Sequence, residues 1–141
     1  MIKTLTTWLI NQTQKLDPNT VWGEIELVLC DDTQIRTVKN EVFARDEVTD
    51  VIALRYEPMP GIEESSSAEI FVNVLRAPQC SRRNGWNPSK ELALYIAHGC
   101  DHLSGADDAT PKQYLQMRRR ELRWLRKAAE TGLTADLIQD Y

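Results

Sequence analysis

Between Asn87 and Gly105 the chain carries a helix marked at both ends. Asn87 suits the N-cap, Pro88 the first helical position and Glu91 the positive first turn, while Gly105 is a natural stop. Leu92, Tyr95, Ile96, Gly99 and Leu103 can face a core. The only two histidines of the 141 residues, His98 and His102, lie on this helix. Four residues apart, they share one helical face and can point at a common centre. Asp107 and Asp108 follow just beyond the glycine. Two imidazoles and one carboxylate are three ligands of the kind zinc takes, and three protein ligands leave a fourth position for water. Spacing alone does not choose between the two aspartates. The competing explanation is a solvated helix face followed by two acids that cap the next helix.

The length suits one domain, residues 1–141, with a core that needs no disulfide staples. Seventeen basic against twenty-one acidic residues give a net charge of −4, so no global electrostatic footprint for nucleic acid exists and any such partner must use a local patch. Cys30, Cys80 and Cys100 are odd in number and lack CxxC spacing, which favours reduced thiols. No apolar run approaches the roughly 20 residues of a membrane span. The start, Met1 to Ile10, is amphipathic and unlike a signal peptide. A cytoplasmic protein that does not engage membranes is expected.

Ile2, Leu5, Leu9 and Leu16 mark an amphipathic first helix over 2–16, ended by Asp17-Pro18-Asn19. Residues 24–30 read as a strand, and Asp31 or Asp32 caps a helix bearing Ile35, Val38 and Val42 on one face. A second strand over 49–56 leads through a turn-rich hairpin connection, Pro58 to Ser67, into a third strand over 69–75. A short helix or turn between Arg76 and Trp86 carries Arg82 and Arg83. After the central helix, Thr110-Pro111-Lys112-Gln113 is a capping box. It opens a helix over about 111–130 that packs through Leu115, Leu122 and Leu125, and 133–141 is a terminal helix or tail. The expected fold is α+β, three-layer α/β/α-like, with a small mixed β-sheet flanked by helices.

Zinc suits imidazole better than magnesium does. Its task would be to lower the pKa of a bound water and polarise a phosphoryl or carbonyl oxygen. Metalloproteases of HExxH type place a glutamate base after the first histidine, and here that position is Gly99. Asp101 is open to three functional readings, as base, as partner of a ligand or as extra ligand, and to one bland reading, an exposed helix acid. The arginines of the last helix, Arg118, Arg119, Arg120, Arg123 and Arg126, form a solvated face or a surface for a phosphodiester backbone. Tyr114 and Trp124 on the same helix are core residues or stacking platforms.

His98-Gly99-x-x-His102-Leu103-x-Gly105-x-Asp107-Asp108 resembles the HGxLHLxGYDH signature of the YbeY family, bacterial metal-dependent endoribonucleases of ribosomal RNA maturation. Asn40-x-x-Phe43 with Thr49-Asp50-Val51-Ile52-Ala53-Leu54 is similar to that family's NxxFR…TDVLSF segment. Ala68-Glu69-Ile70 and Met117-x-x-x-Glu121 resemble further family segments, so the likeness runs over roughly 24–127. It implies zinc held at the end of the central helix by His98, His102 and Asp108. Asp108 stands where the family has histidine, Asp101 where it has leucine and Ala106 where it has tyrosine. Ala44 replaces the arginine after the phenylalanine, with Arg45 next, so Arg45 is the candidate to steady phosphorane charge. Aspartate at the third position adds negative charge and should weaken water activation.

The resemblance therefore implies a zinc-dependent, single-strand-directed endoribonuclease of ribosomal RNA maturation or ribosome quality control, with ribosomal RNA and the small ribosomal subunit as partners. The alternatives are a metallohydrolase of a peptide or small ester, and a ribosome-binding module weakened in catalysis.

Overall fold

The structure, a computed structural model, describes residues 1–138. Eight elements follow in order: α1 (Ile2–Leu16), β1 (Trp22–Cys30), α2 (Asp32–Phe43), β2 (Val51–Tyr56), β3 (Ser66–Asn73), α3 (Arg76–Asn84), α4 (Pro88–Leu103) and α5 (Pro111–Glu130). The strands form one mixed sheet in the order β1-β3-β2. β1 runs parallel to β3, with Ile25 opposite Ala68, and β2 runs antiparallel to it, with Val51 opposite Val72. Residues 57–65 thus connect a hairpin, shorter than the expected connection because Ser66 and Ser67 already pair in β3.

Two apolar clusters separate three layers. Ile25, Leu27, Ala68, Ile70 and Val72 of one sheet face pack against α1, α4 and α5. On the opposite face Cys30, Ile52 and Phe71 meet Ile35 and Val38 of α2. α4 is the buried spine: beyond its first turn only His98 and His102 are not buried. Its caps are as the sequence demands, with the Asn87 side chain accepting from the Lys90 N–H and proline at the start. Inside, Thr13 of α1 donates to the carbonyls of Leu9 and Cys100 at 3.1 Å each, fastening α1 to α4 without an orphaned hydroxyl.

Several expectations need correction. The third strand starts at Ser66 and ends at Asn73, because Ser66 and Ser67 pair with Trp22 and Tyr56 despite their loop-like composition. Asn73 stops the strand: its side-chain oxygen accepts from the Leu75 and Arg76 N–H groups and starts α3. The first two strands also differ at their starts, Trp22 and Val51. Leu115 does not pack: it is 52% exposed, since the buried face of α5 is Met117, Glu121, Trp124, Leu125 and Ala128. Val42 and Leu16, at the ends of their helices, are also exposed. Residues 133–138 form turns and bends, and the rest of the expected terminal helix or tail lies outside the described residues. The three thiols are free. No described helix is long and apolar enough to cross a membrane.

Candidate metal centre

Gly99 seats the central helix. A β-carbon there would lie 2.8 Å from Ile70 Cγ2 and 3.0 Å from Val51 Cγ2, so only glycine lets α4 press this closely on the sheet. The flanking His98 and His102 are thereby brought to the edge of β2. At the end of α4 the chain turns back at Gly105, whose φ of 94° is a conformation glycine adopts freely. The Gly105 N–H donates to the His102 carbonyl. The short return to Thr110, where the capping box of α5 begins, carries Asp108 onto the histidines.

His98 Nε2 and His102 Nε2 are 3.1 Å apart, and Asp108 Oδ2 lies 3.2 Å from the first and 3.5 Å from the second. Asp107 is exposed and takes no part, and Thr110 rather than either aspartate caps α5. The structure thus separates two acids that spacing left equivalent.

The donor set fits a metal. His98 Nδ1 donates to Glu121 Oε2 at 2.8 Å, and His102 Nδ1 donates to the Ala106 carbonyl at 3.1 Å. The Ala106 carbonyl can only accept, and with Nδ1–H on each ring the Nε2 lone pairs point at each other and at a carboxylate oxygen. Three electron pairs converging on one point suit a bound cation. Bonds of about 2.0–2.1 Å at tetrahedral angles separate ligand atoms by roughly 3.3 Å, close to the spacings found. Outer partners on both imidazoles are the usual companions of metal-binding histidine. Burial pulls the His98 imidazole down, but the Glu121 carboxylate, with Asp50 and Asp108, outweighs it and the net direction is upward. The same negative field favours a metal cation.

Behind the ligands is a second layer of charge. Glu121, fully buried on α5, lies against Asp101, fully buried on α4, and Arg120 donates to Asp101 Oδ1 at 2.8–2.9 Å. Asp101 Oδ2 and Glu121 Oε1 have no other partner. Burial pushes the Asp101 carboxyl up, its hydrogen bond with Glu121 adds to this, and Arg120 opposes it. A proton on Asp101 would give the two carboxyls a hydrogen bond between them. Asp101 is therefore neither an exposed acid nor a ligand; it is linked to His98 through Glu121. On the open side, a cleft of about 630 Å³ is lined by His102, Asp108, Lys39, Phe43 and Arg45. Arg45 follows the left-handed cap of α2 at Ala44, with its side chain 71% exposed and Glu47 3.8 Å away.

Comparison with known proteins shows the family. The family model described as Endoribonuclease YbeY matches residues 1–129. The chain belongs to the YbeY family. Among its YbeY relatives, the Endoribonuclease YbeY of Rhodopirellula baltica is 33% identical over 100 residues, 71% of this chain and 51% of that protein. That of Elusimicrobium minutum is 37% identical over 92 residues, 64% of each. The chain thus spans between about half and two thirds of the length of these two relatives. A Thermotoga maritima protein solved in solution shares the fold, with a TM-score of 0.59 at 19% identity, covering 99% of this chain and 91% of that one.

Set against the YbeY signature, His98, His102 and Asp108 form the one cluster of metal-ligating groups found among the described residues. Arg45 lines the same cleft but touches none of the three. Two participants are not visible as such in the sequence. Glu121 is legible only as a match to a family helix, and Lys39, which lines the cleft and pairs with Glu47 at 2.9 Å, carries no signal beyond its charge.

Proposed function

We propose that this chain is a zinc-dependent endoribonuclease that cleaves single-stranded ribosomal RNA in the cytoplasm, in ribosomal RNA maturation or ribosome quality control, with the small ribosomal subunit as its partner. One observation carries the proposal: three lone pairs, on His98, His102 and Asp108, converge at the wall of a cleft that also holds the cations Lys39 and Arg45. The family's name supports RNA as the substrate.

Zinc bound there would lower the pKa of a bound water towards neutrality and polarise a phosphoryl oxygen. His98 and His102 would hold it through Nε2, oriented by Glu121 and the Ala106 carbonyl. Asp108 would hold it through Oδ2, leaving Oδ1 to accept the proton of the attacking water or RNA 2′-hydroxyl. Neither Glu121 nor Asp101 can take that proton from the cleft, since both are fully buried. The exposed Arg45 guanidinium would close on the scissile phosphate and balance its developing charge. Gly99 leaves the peptidase base position without a carboxylate, which disfavours a peptide substrate. Asp108, more negative than the family's histidine, is the observation that favours the second reading, a ribosome-binding module weak in catalysis.

Metal analysis joined to cleavage assays on single-stranded RNA and a peptide panel, with and without chelator, tests these readings. The expected result is stoichiometric zinc and RNA cleavage that chelation abolishes and zinc restores. His98→Ala and Asp108→Ala should each lose both zinc and cleavage. Full zinc retention by both variants would remove the assigned site, and peptide cleavage without RNA cleavage would replace the substrate. Zinc and ribosome binding without turnover would establish the weakened module.

A further inference from the structure

A second cavity, of about 570 Å³, opens between α3, α4 and α5. It adjoins the metal centre. Thr49 and Val51 line the first cleft while Asp50, between them, lines this one, and Tyr95 on its wall lies one helical turn before His98. Arg76 and Arg83 of α3 and Arg118 of α5 stand around it. Arg36, Arg55 and Arg120 are each neutralised by a carboxylate, but no described carboxylate lies within 4.0 Å of Arg76, Arg83 or Arg118. Arg118 donates to the Tyr114 hydroxyl at 2.7 Å and lies 5.3 Å from the centre of its ring, on an aromatic that is 41% exposed. The Tyr95 hydroxyl, on a side chain only 4% exposed, has no hydrogen-bond partner but the Cys80 thiol beside it. Two acids also line the cavity. Asp50 Oδ1 accepts from the Val51 N–H, and the buried Glu91 accepts from Asn84.

Cations without carboxylate partners, an aromatic face backed by a guanidinium and a hydroxyl with only a thiol beside it match the parts of one nucleotide. Phosphate takes arginine, a base takes a ring, and a sugar or phosphate oxygen takes the hydroxyl. Three arginines in one place also answer how a chain of net charge −4 holds a polyanion, since the field that matters is local. We propose that this cavity is a substrate subsite that holds a nucleotide of single-stranded RNA next to the scissile phosphate. Arg76, Arg83 and Arg118 take the phosphate, Tyr114 stacks on the base and Tyr95 donates to the sugar–phosphate backbone. The base must be unpaired to reach Tyr114, so the subsite selects single strands over duplex. Burial holds Tyr95 in its protonated, donating form. The subsite rests on the RNA reading above, but it makes a separate demand on binding.

The test uses the zinc-loaded protein and fluorescence anisotropy with a labelled 2′-O-methyl single-stranded oligonucleotide, beside cleavage kinetics on the matching RNA. Arg76→Ala/Arg83→Ala/Arg118→Ala should keep its zinc and thermal midpoint, bind the strand more than tenfold more weakly and raise KM more than it lowers kcat. The slope of log affinity against log salt should flatten by about 0.7 for each phosphate that the variant no longer neutralises. Tyr114→Ala should weaken binding about tenfold, and Tyr95→Phe should weaken it without loss of zinc. Triple-variant binding equal to that of the parent, with the same salt slope, overturns the subsite and leaves the RNA reading intact. Adenosine monophosphate binding as tightly as the strand also overturns it, in favour of a free-nucleotide site. A parent protein that neither binds nor cleaves RNA overturns both.

Discussion

Glu121 shows how much of a site a single buried position can hide. It is fully buried on the core face of α5, where an apolar residue would be expected, and its carboxyl oxygen lies 2.8 Å from His98 Nδ1, placed to hold the ring with Nε2 towards the cleft. Glu121→Gln keeps the volume and one accepting oxygen but removes the charge. It should leave the protein folded and lower zinc affinity about 10- to 100-fold, as read by competition with a chromophoric chelator; unchanged affinity would make Glu121 a packing residue only. Its neighbour Arg120 carries a different cost. Removing that guanidinium by Arg120→Met leaves the buried Asp101 carboxyl without its charged donor, and losing such a hydrogen bond costs about 1.5–3 kcal/mol. Asp101→Leu/Arg120→Met replaces both members by apolar groups and should recover most of that loss in a denaturant double-mutant cycle. These residues also mark the limit of reading from sequence. His98, His102 and Asp108 are legible because they lie within eleven consecutive positions, where helical spacing and one glycine stop determine proximity. Asp101 with Arg120 and His98 with Glu121 are 19 and 23 residues apart, and only the packing of α4 on α5 brings them together.

The same division holds for the elements. Caps and turns act on neighbours, so an aspartate cap of α2, found at Asp31, the capping box of α5 and the Asn87 cap of α4 follow directly from local sequence. Faces are harder. Leu115 looks like a packing residue because it is apolar, whereas the face that packs includes Glu121, a charge that masks the periodicity. Strand ends at Ser66 and Asn73 depend on pairing with distant chain, which composition does not reveal. The element that most controls the site is α4, and Gly99 is its critical contact. In an open helix, alanine in place of glycine gains about 1 kcal/mol. Here the added carbon would meet two Cγ2 methyls of β-branched residues at 2.8 and 3.0 Å. Val51 and Ile70 are held in paired strands and have no flexible end to yield, so overpacking of about 1–3 kcal/mol wins. Gly99→Ala should therefore be less stable in urea titration and bind zinc more weakly, since α4 must lift from the sheet with both histidines. A variant more stable than the parent would show that the helix is not seated this way.

At the scale of the molecule, the histidine face needs the end of α4 to be fixed, and one arginine does this across three layers of chain. Arg55 of β2 donates from Nη1 to the Leu103 carbonyl at the end of α4 and to Asp17 Oδ2, both at 2.9 Å, and from Nη2 to Thr20 at 2.8 Å. Its guanidinium also lies 5.1 Å from the centre of the Trp22 ring. Sheet, central helix and the α1–β1 turn thus meet at one charge, with a cation at a helix C-terminus where the dipole favours it. The arrangement has a pH signature. Hydrogen bonds from Thr20 and then Arg55 hold the Asp17 carboxyl below its ordinary value of 3.8. A folded-state pKa below the unfolded one means the unfolded chain binds the proton more readily, so stability falls as pH falls. The Asp17 contribution is complete above the ordinary carboxylate range and disappears as pH drops through the depressed folded value. Urea titrations of the parent and Asp17→Asn should differ by a constant gap from pH 7 down to about pH 5, with the parent more stable. That gap should narrow below about pH 4, where the parent's carboxyl becomes as uncharged as the amide. A gap that persisted undiminished to about pH 2 would mean that the charge on Asp17 is not what secures the end of α4, and that Arg55 does so through the Leu103 carbonyl and Thr20 alone.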